Sequence, residues 1–106
     1  MTDTELIRAT LKTLTRALPG GARVIVFGSQ ARGDARADSD IDLLVIETGI
    51  TDRSTETVRL STLLGRQLIP ADVVVMNAEM FETQRQIPNT LAWRAAHEGQ
   101  ELELAH

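Results

Sequence analysis

Cysteine is absent from the chain, so no disulfide framework and no Cys-based zinc site can exist, in agreement with a reducing compartment. Aromatic residues are limited to Phe27, Phe81 and Trp93, which leaves the core to be built from aliphatic side chains. Positive charge is also scarce: ten arginines and one lysine are scattered without a run, and the net charge is −4. Tight nucleic-acid binding rests on a basic stripe that neutralises phosphates, so direct binding of duplex DNA is not expected. No apolar run approaches the roughly eighteen residues that a membrane span needs, and MTDTELIRAT lacks the basic-then-apolar order of a signal peptide. The expected location is the cytoplasm. Repeats, low-complexity segments and linkers are missing too, and the 106 residues are read as one domain, 1–106. A domain of that length buries roughly two-thirds of the surface of its unfolded chain, enough for one core.

What the sequence does contain is concentrated between Val24 and Ile46, VIVFGSQARGDARADSDIDLLVI. Two apolar runs, Val24–Phe27 and Ile41–Ile46, read as strands, joined by a loop that holds Gly28-Ser29 and then Ser39-Asp40-Ile41-Asp42. Carboxylates normally sit outside strands, because burying an ionised one without a partner costs several kcal/mol. Here two of them lead into one. Residues two apart on a strand share a face, so Asp40 and Asp42 are expected side by side while Ile41 and Leu43 pack inward. Two anions that close repel unless a cation lies between them. Magnesium suits such a site, since it takes a few carboxylates and completes its shell with substrate phosphates. Gly28 allows close backbone approach and Ser29 adds a hydroxyl, which together make a phosphate seat. Ser29 as an ordinary helix cap is the plain alternative. Arg32 suits a phosphate, or equally a salt bridge to Asp34, Asp38 or Asp40.

The segment GSQARGDARADSDIDLLVI resembles the signature of the minimal, MNT-type nucleotidyltransferases of the DNA polymerase beta superfamily. The pattern is Gly-Ser at a strand end, a spacer with Ala-Arg-Gly, and Ser-Asp-x-Asp-Leu leading into the next strand. A lone Asp-x-Asp is common in turns and calcium loops; the upstream Gly-Ser at this spacing, between two apolar runs, makes it specific.

Elsewhere the chain reads as supporting structure. Thr2 to Glu5 has capping-box spacing before a helix striped by Ile7, Leu11, Leu14 and Leu18, and Pro19-Gly20-Gly21 stops it. Glu47-Thr48-Gly49 is expected as a turn. Asp52 or Ser54 should cap a second helix in which Leu60, Leu64 and Leu68 share a face with Leu63, and which carries Gly65 at a cost of about 1 kcal/mol relative to alanine. Pro70 ends it, and Ala71–Met76 is a third strand, β-branched and suited to burial on both faces. Asp72 at its mouth is either a solvent-facing strand end or, by the resemblance, the third metal ligand. Asn77-Ala78-Glu79 looks like a cap for a short helix with Met80, Phe81 and Ile87. Pro88-Asn89-Thr90 opens a last helix, Leu91 to His97, with Leu91, Ala92, Ala95 and Ala96 inward and Gly99 as its stop. Trp93 belongs to the core or to a partner surface; His97 and His106 read as surface residues. Leu102 and Leu104 alternate with Glu101 and Glu103, as in a short edge strand or a docking tail.

This order gives an α/β (α+β) fold: a small mixed sheet of three to four strands flanked by helices, a polymerase-beta-like nucleotidyltransferase core. The spacer between the first two strands is too short for a helical crossover, so that pair should be antiparallel. The resemblance implies catalytic and metal-binding roles for Asp40, Asp42 and Asp72, nucleotide binding by Gly28, Ser29 and Arg32, two Mg2+ ions and a nucleoside triphosphate, with ATP as the AMP donor. It also implies an antitoxin, paired with an all-helical HEPN-type toxin and modifying a hydroxyl on it. The alternative is a nucleotidyltransferase fold that neutralises its partner by occlusion.

Overall fold

The computed structural model describes residues 3–27 and 40–104. Four strands form one mixed sheet: β1 (Arg23–Phe27), β2 (Ile41–Glu47), β3 (Ala71–Asn77) and β4 (Gln100–Leu102), in the order β3-β2-β1-β4. Among the described residues the helices are α1 (Asp3–Ala17), α2 (Arg53–Arg66), α3 (Ala78–Gln84) and α4 (Leu91–Glu98). As the short spacer requires, β1 and β2 are antiparallel. Helix α2 then carries the chain from the end of β2 back to the start of β3, so these two strands run parallel. The tail expectation resolves into β4, an edge strand antiparallel to β1. Arg23 of β1 donates from Nε and Nη2 to the two carboxylate oxygens of Glu101 of β4, at 3.0 and 2.7 Å.

Each face of the sheet carries its own aliphatic core. Val24, Val26, Ile41, Leu43, Val45, Val73 and Val75 pack with buried leucines of α1 and α2. Ile25, Leu44, Ile46 and Met76 face the other way and meet Phe81 of α3 with Ala92 and Ala95 of α4. The strict alternation along β2 is what makes both cores possible, and it turns Ile41 and Leu43 inward as the sequence implied.

Several local readings change. In α1 the buried line runs through Leu6, Thr10, Leu14 and the following Leu18, with Ile7 and Leu11 at its edges. A threonine can sit on that line because its hydroxyl donates to the Leu6 carbonyl at 2.8 Å. Asp52, not Ser54, caps α2, accepting from the Thr55 N–H at 3.1 Å. Leu68 does not continue the leucine face: the Leu68 N–H donates to Gly65 O and the Ile69 N–H to Leu64 O, which is a Schellman stop. Leu68 takes the left-handed position of that stop, at φ 58°, and is 85% exposed, while Ile69 is buried in its place. Ile87 and Met80 likewise face solvent, leaving Phe81 as the one buried anchor of α3. Asn77 does not cap α3 through its side chain; its amide bridges the Ile50 N–H and C=O at 2.9 and 3.1 Å, holding the 48–52 loop against the end of β3.

Gly65 has open space where a β-carbon would stand. The glycine is therefore not required for close packing, and Gly65→Ala is expected to stabilise the protein by about 1 kcal/mol. Thermal unfolding should report a rise of about 4 °C; a fall would mean that α2 is closely approached on that side.

Candidate active site at the mouth of the parallel strands

Strand register assembles the acidic group. Asp42, the second residue of β2, lies opposite Phe27 on one side and Asp72 on the other. The last residue of β1 and the second residues of β2 and β3 thus form one row across the end of the sheet. Neighbouring strands are about 4.8 Å apart, so the two aspartates are adjacent. Parallel register partners project to the same side. Asp42 shares its side with Leu44 and Ile46, and Asp72 with Val74 and Met76, which is the face covered further along by α3 and α4. At the mouth that cover ends: Asp42 is half-buried and Asp72 exposed.

Asp40 precedes β2 and is exposed, two residues from Asp42. Its position is tied down next door, where the Ile41 N–H donates to Pro70 O at 2.9 Å and joins the starts of the two parallel strands. Gly28, Ser29 and Arg32 lie outside the described residues; Phe27, the last residue of β1, lies directly beside Asp42. His97 is exposed, as expected, with its Nδ1 2.9 Å from Trp93 O. Trp93 is half-buried, stacked on that imidazole at 4.5 Å rather than enclosed in the core.

Among the described residues no three carboxylate or imidazole groups close into a metal-binding cluster. The donor set at the mouth is of the open kind: two register-paired carboxylates, a third just before them, and solvent beyond. Such a set fits magnesium arriving with a nucleotide, because that ion fills most of its shell with water and phosphate oxygens.

A family model described as "Nucleotidyltransferase domain" matches residues 7–93. The chain belongs to this family. Among solved structures, a toxin-antitoxin complex with AMP-PNP contains a chain that superposes at a TM-score of 0.65 with 20% identity, over 100% of this sequence and 76% of that chain. A second match is a complex of a tri-AMPylated Shewanella oneidensis HEPN toxin with its MNT antitoxin, at a TM-score of 0.64 and 18% identity, covering 97% of this sequence and 73% of the other. A third, at 0.62 and 20% identity over 100% and 76%, is a toxin-antitoxin MntA-HpeT mutant with two Asp→Glu changes two residues apart. These likenesses concern the fold. No curated protein matches the sequence significantly.

The nucleotidyltransferase domain carries one acid that the sequence reading missed. Glu47 is not in a turn; it is the last residue of β2 and is 6% exposed. One of its oxygens, Oε2, is buried without a hydrogen-bond partner among the described residues. It lies about 17 Å along β2 from Asp42, at the opposite end of the sheet. Burial, and a hydrogen bond shared with Glu56, push its carboxyl up to about 7. Glu56 is held down to about 2, first by Arg59, whose Nε and Nη2 reach it at 2.7 and 2.8 Å, and then by Glu47. The pair therefore carries a proton on Glu47 and a charge on Glu56 at mildly acidic pH.

Because the folded value of Glu47 lies above its ordinary 4.5, its contribution is fully present below 4.5 and is lost as the pH rises through about 7. Glu56 acts in the opposite sense, and its contribution is lost only as the pH falls from 4.5 towards 2. Urea titrations should show stability declining by about 2 kcal/mol between pH 5 and pH 8, and Glu47→Gln should flatten that decline. An identical slope in the variant would contradict the assignment.

Proposed function

We propose that this chain is a magnesium-dependent nucleotidyltransferase that moves AMP from ATP to a hydroxyl on a partner protein, acting as the antitoxin of a HEPN-type toxin. The observation that carries the reading is the row Phe27–Asp42–Asp72, which brings the strand leading into Gly28-Ser29 beside two carboxylates on one face. The family match supports nucleotidyl transfer as the reaction class. The fold likeness to the antitoxin of an AMPylated HEPN toxin supports a protein acceptor. The paired Asp→Glu changes in the MntA-HpeT complex have the spacing of Asp40 and Asp42, which supports these two as the pair on which activity depends.

In this reading Asp40, Asp42 and Asp72 would hold the ions, which when bound would supply positive charge against the triphosphate and the entering oxygen. Gly28 and Ser29 seat the β and γ phosphates with backbone N–H groups and the serine hydroxyl, and Arg32 balances their charge. The acceptor oxygen forms a bond to the α-phosphorus as the bond to pyrophosphate breaks. Asp72, which is exposed, would receive the hydroxyl proton and pass it to water. The exposed mouth leaves room for an acceptor delivered by another molecule.

The test incubates the protein with α-labelled ATP, magnesium and the protein encoded beside it. Label should appear on that protein and vanish when EDTA is added. Neutralisation of the partner with no label transferred would favour occlusion over catalysis.

A further inference from the structure

The basic residues that look scattered in sequence are gathered in space. A groove between the second halves of α1 and α2, enclosing about 780 Å³, is lined by Lys12 and Arg16 from one helix and by Arg59 and Arg66 from the other. Ala9, Ala17 and Leu63 give it an apolar lining. Arg59 is engaged by Glu56, but Lys12, Arg16 and Arg66 are exposed and form no ion pair among the described residues. Last-turn cations favour a helix dipole, and that explains Arg16 and Arg66 singly. It does not explain why two helices of a −4 chain turn cations towards one shared cleft, where they repel each other.

We infer that this groove docks an acidic amphipathic helix of a partner protein. Small residues at Ala9 and Ala17 let a helix backbone approach closely, and Leu63 offers it an apolar contact. Glutamates flanking its apolar stripe would meet Lys12, Arg16 and Arg66, which steers the encounter and fixes orientation. Single-stranded nucleic acid fits less well, because among the described residues no aromatic ring lines the groove for bases to stack on. None of the lining residues belongs to the acidic mouth, so docking here leaves Asp42 and Asp72 open.

The probe is a fluorescein-labelled synthetic helix about four turns long, with leucine and alanine on one face and glutamate on its flanks. Anisotropy titration without nucleotide should show saturable binding that weakens with salt. The triple variant Lys12→Glu/Arg16→Glu/Arg66→Glu should lose at least about tenfold in affinity. A control with the exposed cations Arg8, Arg53 and Arg94 reversed should bind as the parent does, and circular dichroism should report folded protein for both variants. The proposal is overturned if the peptide fails to bind, if the control weakens binding as much as the groove variant, or if a single-stranded RNA oligonucleotide occupies the groove in preference. Because nucleotide is omitted, failure here is separate from failure of the transfer reaction.

Discussion

Asp42→Asn is expected to lower the proposed nucleotidyl transfer by about a thousandfold or more while leaving the protein folded. The substitution keeps the shape of the side chain and removes the charge from the middle of the acidic row, between Phe27 and Asp72. Asp42→Glu should be impaired as well, by about a hundredfold, because one added methylene moves the carboxylate by more than an ångström. Asp72→Asn should lose activity comparably and yet melt no lower than the parent. Asp72 is exposed, and its charge stands across the strand pair from a like charge, an arrangement that is destabilising. Label transfer to the partner, measured beside thermal unfolding, separates the two effects. Equal losses of activity and of melting temperature would mean that the acids serve the fold.

The second large effect is structural. Gly99 ends α4 with φ −84° and ψ 170°, so the glycine is not there for a left-handed turn. A β-carbon at that position would collide with the Ala95 carbonyl oxygen, lie 2.5 Å from Ile25 Cγ2 and 2.9 Å from the Val26 carbonyl oxygen. Two of the three obstacles are backbone, one on α4 and one on β1, and neither can swing aside. Gly99→Ala should therefore push the α4–β4 corner off the sheet and cost about 3 kcal/mol, read as a lower urea midpoint at unchanged m-value. The same exchange at Gly65 meets nothing and should go the other way. The pair of variants tests the packing account with one chemical change.

The side-by-side placing of the acids in the candidate site was legible because it is written locally. The alternation Asp40-Ile41-Asp42-Leu43 dictates which side chains go in, and both apolar residues are fully buried. The antiparallel first pair followed from a spacer too short to cross over. Where the reading failed, the deciding physics was tertiary or lay in backbone geometry. Leu68 matched the four-residue spacing of Leu60 and Leu64, but the chain had already turned at Gln67, and no glycine marked the stop. Thr10 is missing from the apolar stripe because it is polar, and its bond to the Leu6 carbonyl is what lets it be buried. Glu47 looked like a turn residue because an acid after six strand residues normally reaches water; the groups that set its charge there, Glu56 and Arg59, arrive from α2. The order β3-β2-β1-β4 and the cationic groove join residues far apart along the chain, and no short-range pattern announces either.

The most direct test of the acidic mouth is a crystal of the protein grown with manganese and a non-hydrolysable ATP analogue, with data collected at the manganese edge. The account predicts anomalous peaks bound by Asp40, Asp42 and Asp72, with the triphosphate reaching Gly28 and Ser29. Manganese bound elsewhere, with Asp42 and Asp72 touching neither ion nor phosphate, would contradict it.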